Sequence, residues 1–154
     1  TDEAYAPAPA RYLLLHCWRA DEEGGANLLA DVADVLPHLD PWTAEACHRV
    51  TFRWSAVDSP ILTREAGRAW PAVRFNRKAC ADRSAGTAAS DKERHLPEAF
   101  LVAARAAAVE CPLAPGDCLI TDNWRVLHGR TGFGPNSRRL LKRVRVLEDG
   151  AQSG

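Results

Sequence analysis

The sequence predicts a mainly β domain, a sandwich or jelly roll with helical decoration, on three observations. Short apolar or alternating runs separated by Gly, Pro, Asp and Asn recur along the chain, only residues 97–110 carry the apolar spacing of a sizeable amphipathic helix, and 154 residues suffice for one domain. Residues 2–9, with an Ala-Pro-Ala-Pro run, exclude a helix. Residues 11–19 (RYLLLHCWR) are nearly continuously apolar, the pattern of a strand covered on both faces. The Asp21-Glu22-Glu23-Gly24-Gly25 segment reads as a turn and residues 27–30 as the returning strand of a hairpin. Residues 31–39 and 41–47 form two short helical segments, the second opened by Asp40 with Pro41 at its first position. Residues 49–54 (RVTFRW) and 71–76 (PAVRFN) are strands, and 78–92 are loop. After the helix over 97–110, a turn at 113–117 leads into a strand over 118–121. Asp122-Asn123 breaks that run, 125–128 resume it, 132–136 are loop, and 138–147 form a long alternating strand.

Twenty Lys+Arg balance twenty Asp+Glu, which excludes a steering field for nucleic acid or an anionic membrane. The apolar fraction of 46% and charged fraction of 26% match an ordinary soluble protein, and no apolar run is long enough to span a bilayer. Five cysteines without a CxxC pair argue against a disulfide framework or a zinc site and predict buried thiols in a reducing, cytoplasmic setting. No methionine occurs, so a fragment or processed product is expected.

Along residues 138–147 the side chains alternate, putting Arg139, Leu141, Arg143 and Arg145 on one face. With apolar residues on both faces, Arg139 and Arg143 are expected to be buried, and a buried guanidinium must find an anion. That anion is either one of the protein's own carboxylates or a small-molecule carboxylate gripped by the planar fork. His128 precedes this strand across a loop containing Gly132, Gly134 and Pro135, a hairpin-like return that would bring imidazole and guanidinium together. A lone histidine is a structural residue or a ligand, and spacing alone leaves that open.

The segment PGDCLITDNWRVLHGRTGF…RRLLKR, residues 115–143, resembles the C-terminal signature of the TauD/TfdA-type Fe(II)/2-oxoglutarate dioxygenases, clavaminate-synthase-like enzymes included. Thr1-Asp2-Glu3-Ala4-Tyr5 followed by Glu23-Gly24-Gly25-Ala26-Asn27 is similar to the family's HTD…GG-x-T block, and the resemblance runs over residues 1–146. It implies a double-stranded β-helix (jelly-roll) core, incomplete at its N-terminal side, with residues 1–147 as a partial domain and 148–154 as a flexible tail. It further implies Asp2 and His128 as iron ligands, Arg139 and Asn27 as 2-oxoglutarate-binding residues, and Arg143 near cosubstrate or substrate. Asn27 stands where the family usually has Thr, and an amide can still donate a hydrogen bond there. The family's first histidine ligand precedes the Thr-Asp pair, so a truncated chain that binds iron poorly by itself is expected.

The expected activity is an oxygenase that hydroxylates or desaturates a small, zwitterionic substrate using Fe(II), 2-oxoglutarate and O₂, with release of succinate and CO₂. Glu3 and Tyr5 resemble substrate-facing positions, and their plainer roles are a solvated carboxylate and a packing aromatic. The alternative reading is a non-catalytic jelly-roll binding module or an inactive fragment of such an enzyme. Neither nucleic acid nor membrane is an expected partner, and oligomeric state is unreadable. His16 is expected to hydrogen-bond structurally, and His38, His48 and His95 to lie at the surface. Arg74-Phe75-Asn76 is either core packing or a pocket wall. Asp122-Asn123 is expected to shape the backbone through its side chains, and Gly24-Gly25 to permit a tight turn without a phosphate role.

Overall fold

Residues 123–125 and 131–139 interrupt the apolar runs, and there, as between Arg19 and Asn27, the chain passes from one sheet to another. The computed structural model describes residues 1–21, 24–55, 57–78 and 90–148. The elements are β1 (Tyr12–Arg19), β2 (Asn27–Asp31), α1 (Val32–Val35) with a 3₁₀ turn (Leu36–His38), α2 (Pro41–Arg49), β3 (Thr51–Trp54), β4 (Val57–Pro60), β5 (Leu62–Thr63) and β6 (Ala72–Val73). Then come α3 (Asp91–Arg94), α4 (Leu96–Ala106), β7 (Val109–Cys111), β8 (Cys118–Asp122), β9 (Val126–Arg130) and β10 (Leu140–Val146).

Two antiparallel three-stranded sheets, β10-β1-β8 and β7-β2-β9, carry the molecule, with two-stranded ladders β3-β4 and β5-β6 beside them. This strand-rich, helix-decorated layout agrees with the jelly-roll expectation. The hairpins do not. β1 pairs with β10 and β8, while β2 pairs with β9 and β7. The turn after β1 and the loop before β10 therefore join different sheets, as Greek-key connections do. Spacing told where strands end; it could not tell which strand each would pair with.

The core lies where the Ala30–Leu127 face of the β7-β2-β9 sheet meets the helices. Trp54, Phe52 and Phe100 are fully buried there, and Phe75 bridges Trp54 and Phe100 with ring centroids 6.0 and 5.3 Å away. Asp40 caps α2, its Oδ1 accepting from Trp42 and Thr43 N–H at 3.1 Å each. The helix expected over 97–110 ends at Ala106, and Val109–Cys111 instead joins β2 as an edge strand. The strand expected over 71–76 shrinks to Ala72–Val73, because Arg74 and Phe75 turn to the N-terminal loop. Part of the 78–92 loop is helix α3, closed by a Ser90–Glu93 capping box.

Burial of β1 and the last strand on both faces is a second correction. Tyr12, Trp18, Ile120 and Val144 share an outer face of the β10-β1-β8 sheet and stay exposed, Ile120 at 62%. Only the face of Leu13 and Cys17 is buried, so β10 is a one-sided edge strand. His16 accepts from Trp18 Nε1–H at 2.8 Å, the structural role expected of it. His38 and His95 are exposed, whereas His48 is half-buried against the Leu62 carbonyl. Cys17 and Cys47 are buried, Cys111 is half-buried and Cys118 exposed; Cys80, the bulk of the 78–92 loop and residues 149–154 of the expected tail lie outside the described residues. Among the described residues no helix is long and apolar enough to cross a membrane.

Candidate active site

The N-terminal loop has no ladder of its own, so backbone and side-chain groups of residues 74–75 and 123 hold it. Thr1 Oγ1 accepts from Phe75 N–H at 3.2 Å, and the Thr1 amino group donates to the Phe75 carbonyl. Arg74 Nη1 donates to the carbonyls of Ala4 and Ala6, both at 2.7 Å. The amide of buried Asn123 bonds both the N–H and the C=O of Asp2. Glu3 takes a left-handed backbone (φ 54°), which a non-glycine residue keeps only where its surroundings impose it. Its Oε2 accepts from Ala10 N–H at 3.3 Å, closing the loop on itself.

This loop delivers the Asp2 carboxylate to the face of β10 that carries Arg143 and Arg145. Arg143 Nη1 donates to Asp2 Oδ1 at 2.9 Å, and Arg145 Nε donates to Oδ2 at 2.6 Å. Burial of Asp2 works to raise its pKa, but the Arg145 hydrogen bond and the charges of Arg143, Arg145 and His128 outweigh it, leaving the group below its usual 3.8. Asp2 is therefore a carboxylate at neutral pH.

His128 comes from β9, where it stands opposite Leu29 of β2, and Asn27 stands opposite Arg130 two places along. Directly paired residues point the same way, so His128 and Asn27 share the sheet face turned away from the Ala30–Leu127 core. Asp2 and His128 both border a cavity of about 430 Å³ at the sheet edge, whose further lining, Phe75, Leu101 and Ala104, comes from the core side. Burial first, and then the neighbouring Thr1 amino group, lower the His128 pKa from 6.5 to about 4, with Asp2 opposing. The imidazole is thus neutral at pH 7, the form that can ligate a metal. Its Nδ1 is buried without a hydrogen-bond partner.

Arg139, the residue before β10, lines a separate small cavity of about 40 Å³ with Gly24, Gly25 and Leu141. Its Nη2 donates to Asn27 Oδ1 at 3.1 Å, while Asn27 Nδ2 donates to the Cys111 carbonyl at 3.2 Å. Asn27 is 3% exposed, so this contact to the guanidinium is made inside the protein. A Cβ on Gly25, whose φ is +70°, would stand 2.7 Å from Arg139 Cδ, so only glycine lets the arginine pass. Gly24-Gly25 therefore does more than turn the chain.

The two anion choices left open for the strand arginines resolve differently. Arg143 pairs with the protein's own Asp2 and, at 47% side-chain exposure, is not the buried cation expected. Its strand lies at a sheet edge, which the apolar alternation concealed. Among the described residues no Asp or Glu pairs with Arg139. Glu3 Oε1 lies 3.4 Å from Arg145 Nε, and Tyr5 is 46% exposed on the same loop. Asn76 and Phe75 line the Asp2–His128 cavity, so the 74–76 segment is both core and pocket wall. Arg145 and Asn123 received no site role from the sequence. Alternation had put Arg145 on the Arg143 face, and Asn123, expected to shape the backbone through its side chain, does so on Asp2, 121 positions away. Among the described residues no three His, Cys, Asp or Glu side chains cluster to hold a metal by themselves.

A family model described as taurine catabolism dioxygenase TauD, TfdA family, matches residues 1–145. The chain belongs to the TauD/TfdA family. Clavaminate synthase 2 of Streptomyces clavuligerus is 32% identical over 168 aligned positions, covering 97% of this chain and 49% of that protein. L-asparagine oxygenase of Streptomyces coelicolor is 33% identical over 153 positions, covering 90% of this chain and 44% of the oxygenase. The crystal structure of an asparagine oxygenase with Fe(II), 2S,3S-3-hydroxyasparagine and succinate aligns with TM-score 0.73 at 27% identity, over 94% of this chain and 47% of that one. PvcB, an Fe, α-ketoglutarate dependent oxygenase from an isonitrile synthetic pathway, shares the fold with TM-score 0.74 at 24% identity, over 94% and 54% of the two chains. This TauD/TfdA chain spans about half the length of the curated relatives it matches.

Proposed function

We propose that this chain supplies iron and 2-oxoglutarate sites to an oxygenase that acts on a small amino-acid-like substrate. One observation carries the reading. A carboxylate and a neutral imidazole share a cavity, while on the imidazole's sheet face Asn27 holds an arginine that no carboxylate of the described residues satisfies. The donor set suits a hard-to-borderline divalent metal: one carboxylate, one imidazole and, among the described residues that line the cavity, no thiolate. Asp2 and His128 would each give the metal one ligand, and a buried His128 Nδ1 without a hydrogen-bond partner among the described residues supports this.

When bound, Fe(II) with 2-oxoglutarate and O₂ supplies an oxidative decarboxylation that yields succinate and CO₂ and is coupled to hydroxylation or desaturation of a C–H substrate. The chain's residues orient the partners. Arg139, held by Asn27 and passing over Gly25, grips the far carboxylate of 2-oxoglutarate with its free fork edge. Arg143 sits two strand repeats further along, available to a cosubstrate or substrate anion once Asp2 releases it. Glu3 is the group for a substrate amine, and Tyr5 offers its ring beside it. An asparagine oxygenase among the relatives supports a zwitterionic substrate of that size. The cavity wall combines apolar Phe75, Leu101 and Ala104 with polar Asn76 and the charged Arg77 and Arg105. The free thiols of Cys17, Cys47, Cys111 and Cys118 support a cytoplasmic setting.

The test is succinate formation from 2-oxoglutarate with added Fe(II), by protein that includes all of residues 1–154. His128→Ala and Asp2→Ala should each lower turnover at least about 100-fold, in line with loss of a metal ligand. Full turnover in either variant removes that ligand assignment. No succinate from the parent protein, with or without amino acids present, makes the chain a binding module.

A further inference from the structure

Resting on the assignment of Asp2 and His128 as metal ligands, we propose that Asn123 is a positioning residue that sets where Asp2 stands relative to His128. Asn123 is 1% exposed, and its side-chain amide is engaged at both ends. Oδ1 accepts from the Asp2 N–H at 2.7 Å. Nδ2 donates to the Asp2 carbonyl at 3.1 Å and to the Ala10 carbonyl at 2.9 Å. Its own N–H donates to the Arg11 carbonyl at 2.8 Å. The Asp2 residue is therefore gripped on both sides, and the loop is pinned where it leaves and where it returns.

The location gives these bonds their meaning. Asn123 lies in the short passage between β8 and β9, and His128 lies on the β9 that follows. β9 is fixed by its ladder with β2. One continuous segment thus carries a metal ligand and the clamp that holds the other ligand's backbone. The loop bearing Asp2 has no strand or helix geometry, and Glu3 beside it holds a left-handed backbone, so its position comes from such side-chain contacts. Trp124 extends the grip, its Nε1–H donating to the Pro9 carbonyl at 3.1 Å. The chemistry demands an amide. Accepting from one N–H while donating to two carbonyls needs an oxygen and an NH₂ on one flat group. Aspartate would turn a charged oxygen on two carbonyl oxygens, and serine is too short to reach both. A ligand displaced by a fraction of an ångström weakens metal coordination even when the fold survives.

The test compares Asn123→Asp and Asn123→Ser with the parent in protein that includes all of residues 1–154. Asp40→Ala, which removes a remote helix cap, serves as a stability control. Mn(II) binding is read by electron paramagnetic resonance in the presence of 2-oxoglutarate, at temperatures where circular dichroism shows each variant folded. Both Asn123 variants should bind Mn(II) at least about tenfold more weakly, the scale seen for partners that orient ligands, whereas Asp40→Ala lowers Tm without that loss. Asn123→Ser carries the test if the aspartate variant does not fold. Parent-like Mn(II) affinity in a folded Asn123 variant, or the same loss in Asp40→Ala, overturns the proposal. If the parent takes up no Mn(II), the metal-site reading falls, and the clamp is judged by amide hydrogen exchange alone. Peptides from residues 1–10 should then exchange faster in the variants while β2 and β9 keep their protection, and unchanged exchange overturns the clamp.

Discussion

Arg143 and Asp2 stand 141 positions apart in sequence and meet at 2.9 Å, with Arg145 closing on the other carboxylate oxygen at 2.6 Å. Both arginines are partly exposed, at 47% and 35% of the side chain, so water screens the pairs and each contributes about 0–1 kcal/mol. That weakness suits a ligand that must be released to a metal. Arg145→Gln is expected to lower stability by less than about 1 kcal/mol while raising Mn(II) affinity several-fold, because one competitor for Asp2 is gone. Urea midpoints and Mn(II) titrations on the same preparations check both halves. A fall in Mn(II) affinity would mean that the arginine holds Asp2 in place rather than competing for it.

Asn27 is the opposite kind of contact, buried and fully committed between Arg139 and the Cys111 carbonyl. Asn27→Leu keeps the shape and removes both bonds, stranding two polar groups at a cost of about 1–3 kcal/mol. The freed guanidinium should also lower 2-oxoglutarate affinity, measured by calorimetry with Mn(II) present. Asn27→Thr, which restores an oxygen that can accept from Arg139, should recover part of the affinity. Equal losses in both variants would detach Asn27 from the cosubstrate.

The pH response of the core is set by Cys47. Burial first, and the Asp40 charge second, push its thiol up from 9 to about 12. The unfolded chain gives up this proton from about pH 9 while the folded chain keeps it, so stability is full below 9 and falls as pH rises toward 12. The slope from this group is about 1.4 kcal/mol per pH unit. Urea midpoints from pH 8 upward should therefore drop more steeply in the parent than in Cys47→Ala. At pH 8.5, iodoacetamide should reach exposed Cys118 quickly and Cys47 only as fast as the protein unfolds. Equal labelling of the two would contradict the burial.

Local chemistry was legible and pairing was not. The Asp40-Pro41 helix start, the break at Asp122-Asn123 and the alternation of Arg139, Arg143 and Arg145 are written in neighbouring residues, and each appears in the fold. Whether residues 27–30 pair with β1 or with β9 depends on contacts a hundred positions away, so the hairpin expectation failed. Val109–Cys111 read as the end of a helix because three residues cannot show a period of two against a preceding alanine run. The same limit governs the site. Asp2, His128, Asn27 and Arg139 rest on a resemblance along the chain, and the structure pairs Asp2 with His128 on one cavity and Asn27 with Arg139 by a hydrogen bond. That Asn123 would act on the backbone was legible, but that its partner is Asp2, and that Gly25 faces the Arg139 side chain, no local pattern reports.

Gly25 offers the sharpest test of the cosubstrate site, because the variant adds one methyl group and deletes nothing. At φ +70° an alanine is already strained, and its Cβ would lie 2.7 Å from Arg139 Cδ and 3.0 Å from Nε. The arginine, held at its tip by Asn27, is the part that can move, whereas the backbone of β2 next to Gly25 is locked in its ladder. Gly25→Ala should therefore tilt the guanidinium away from Asn27 and weaken 2-oxoglutarate binding at least about tenfold, as a lost charge-assisted bond would. Affinity for Mn(II) alone, which depends on Asp2 and His128, should stay near the parent value. Gly67→Ala controls for the backbone strain, since Gly67 has φ +79° and open space around its missing Cβ. If Gly67→Ala and Gly25→Ala weaken 2-oxoglutarate alike, general destabilisation accounts for the effect and Arg139 loses its assigned role. If only Gly25→Ala does, the passage of Arg139 over this glycine is what shapes the cosubstrate site.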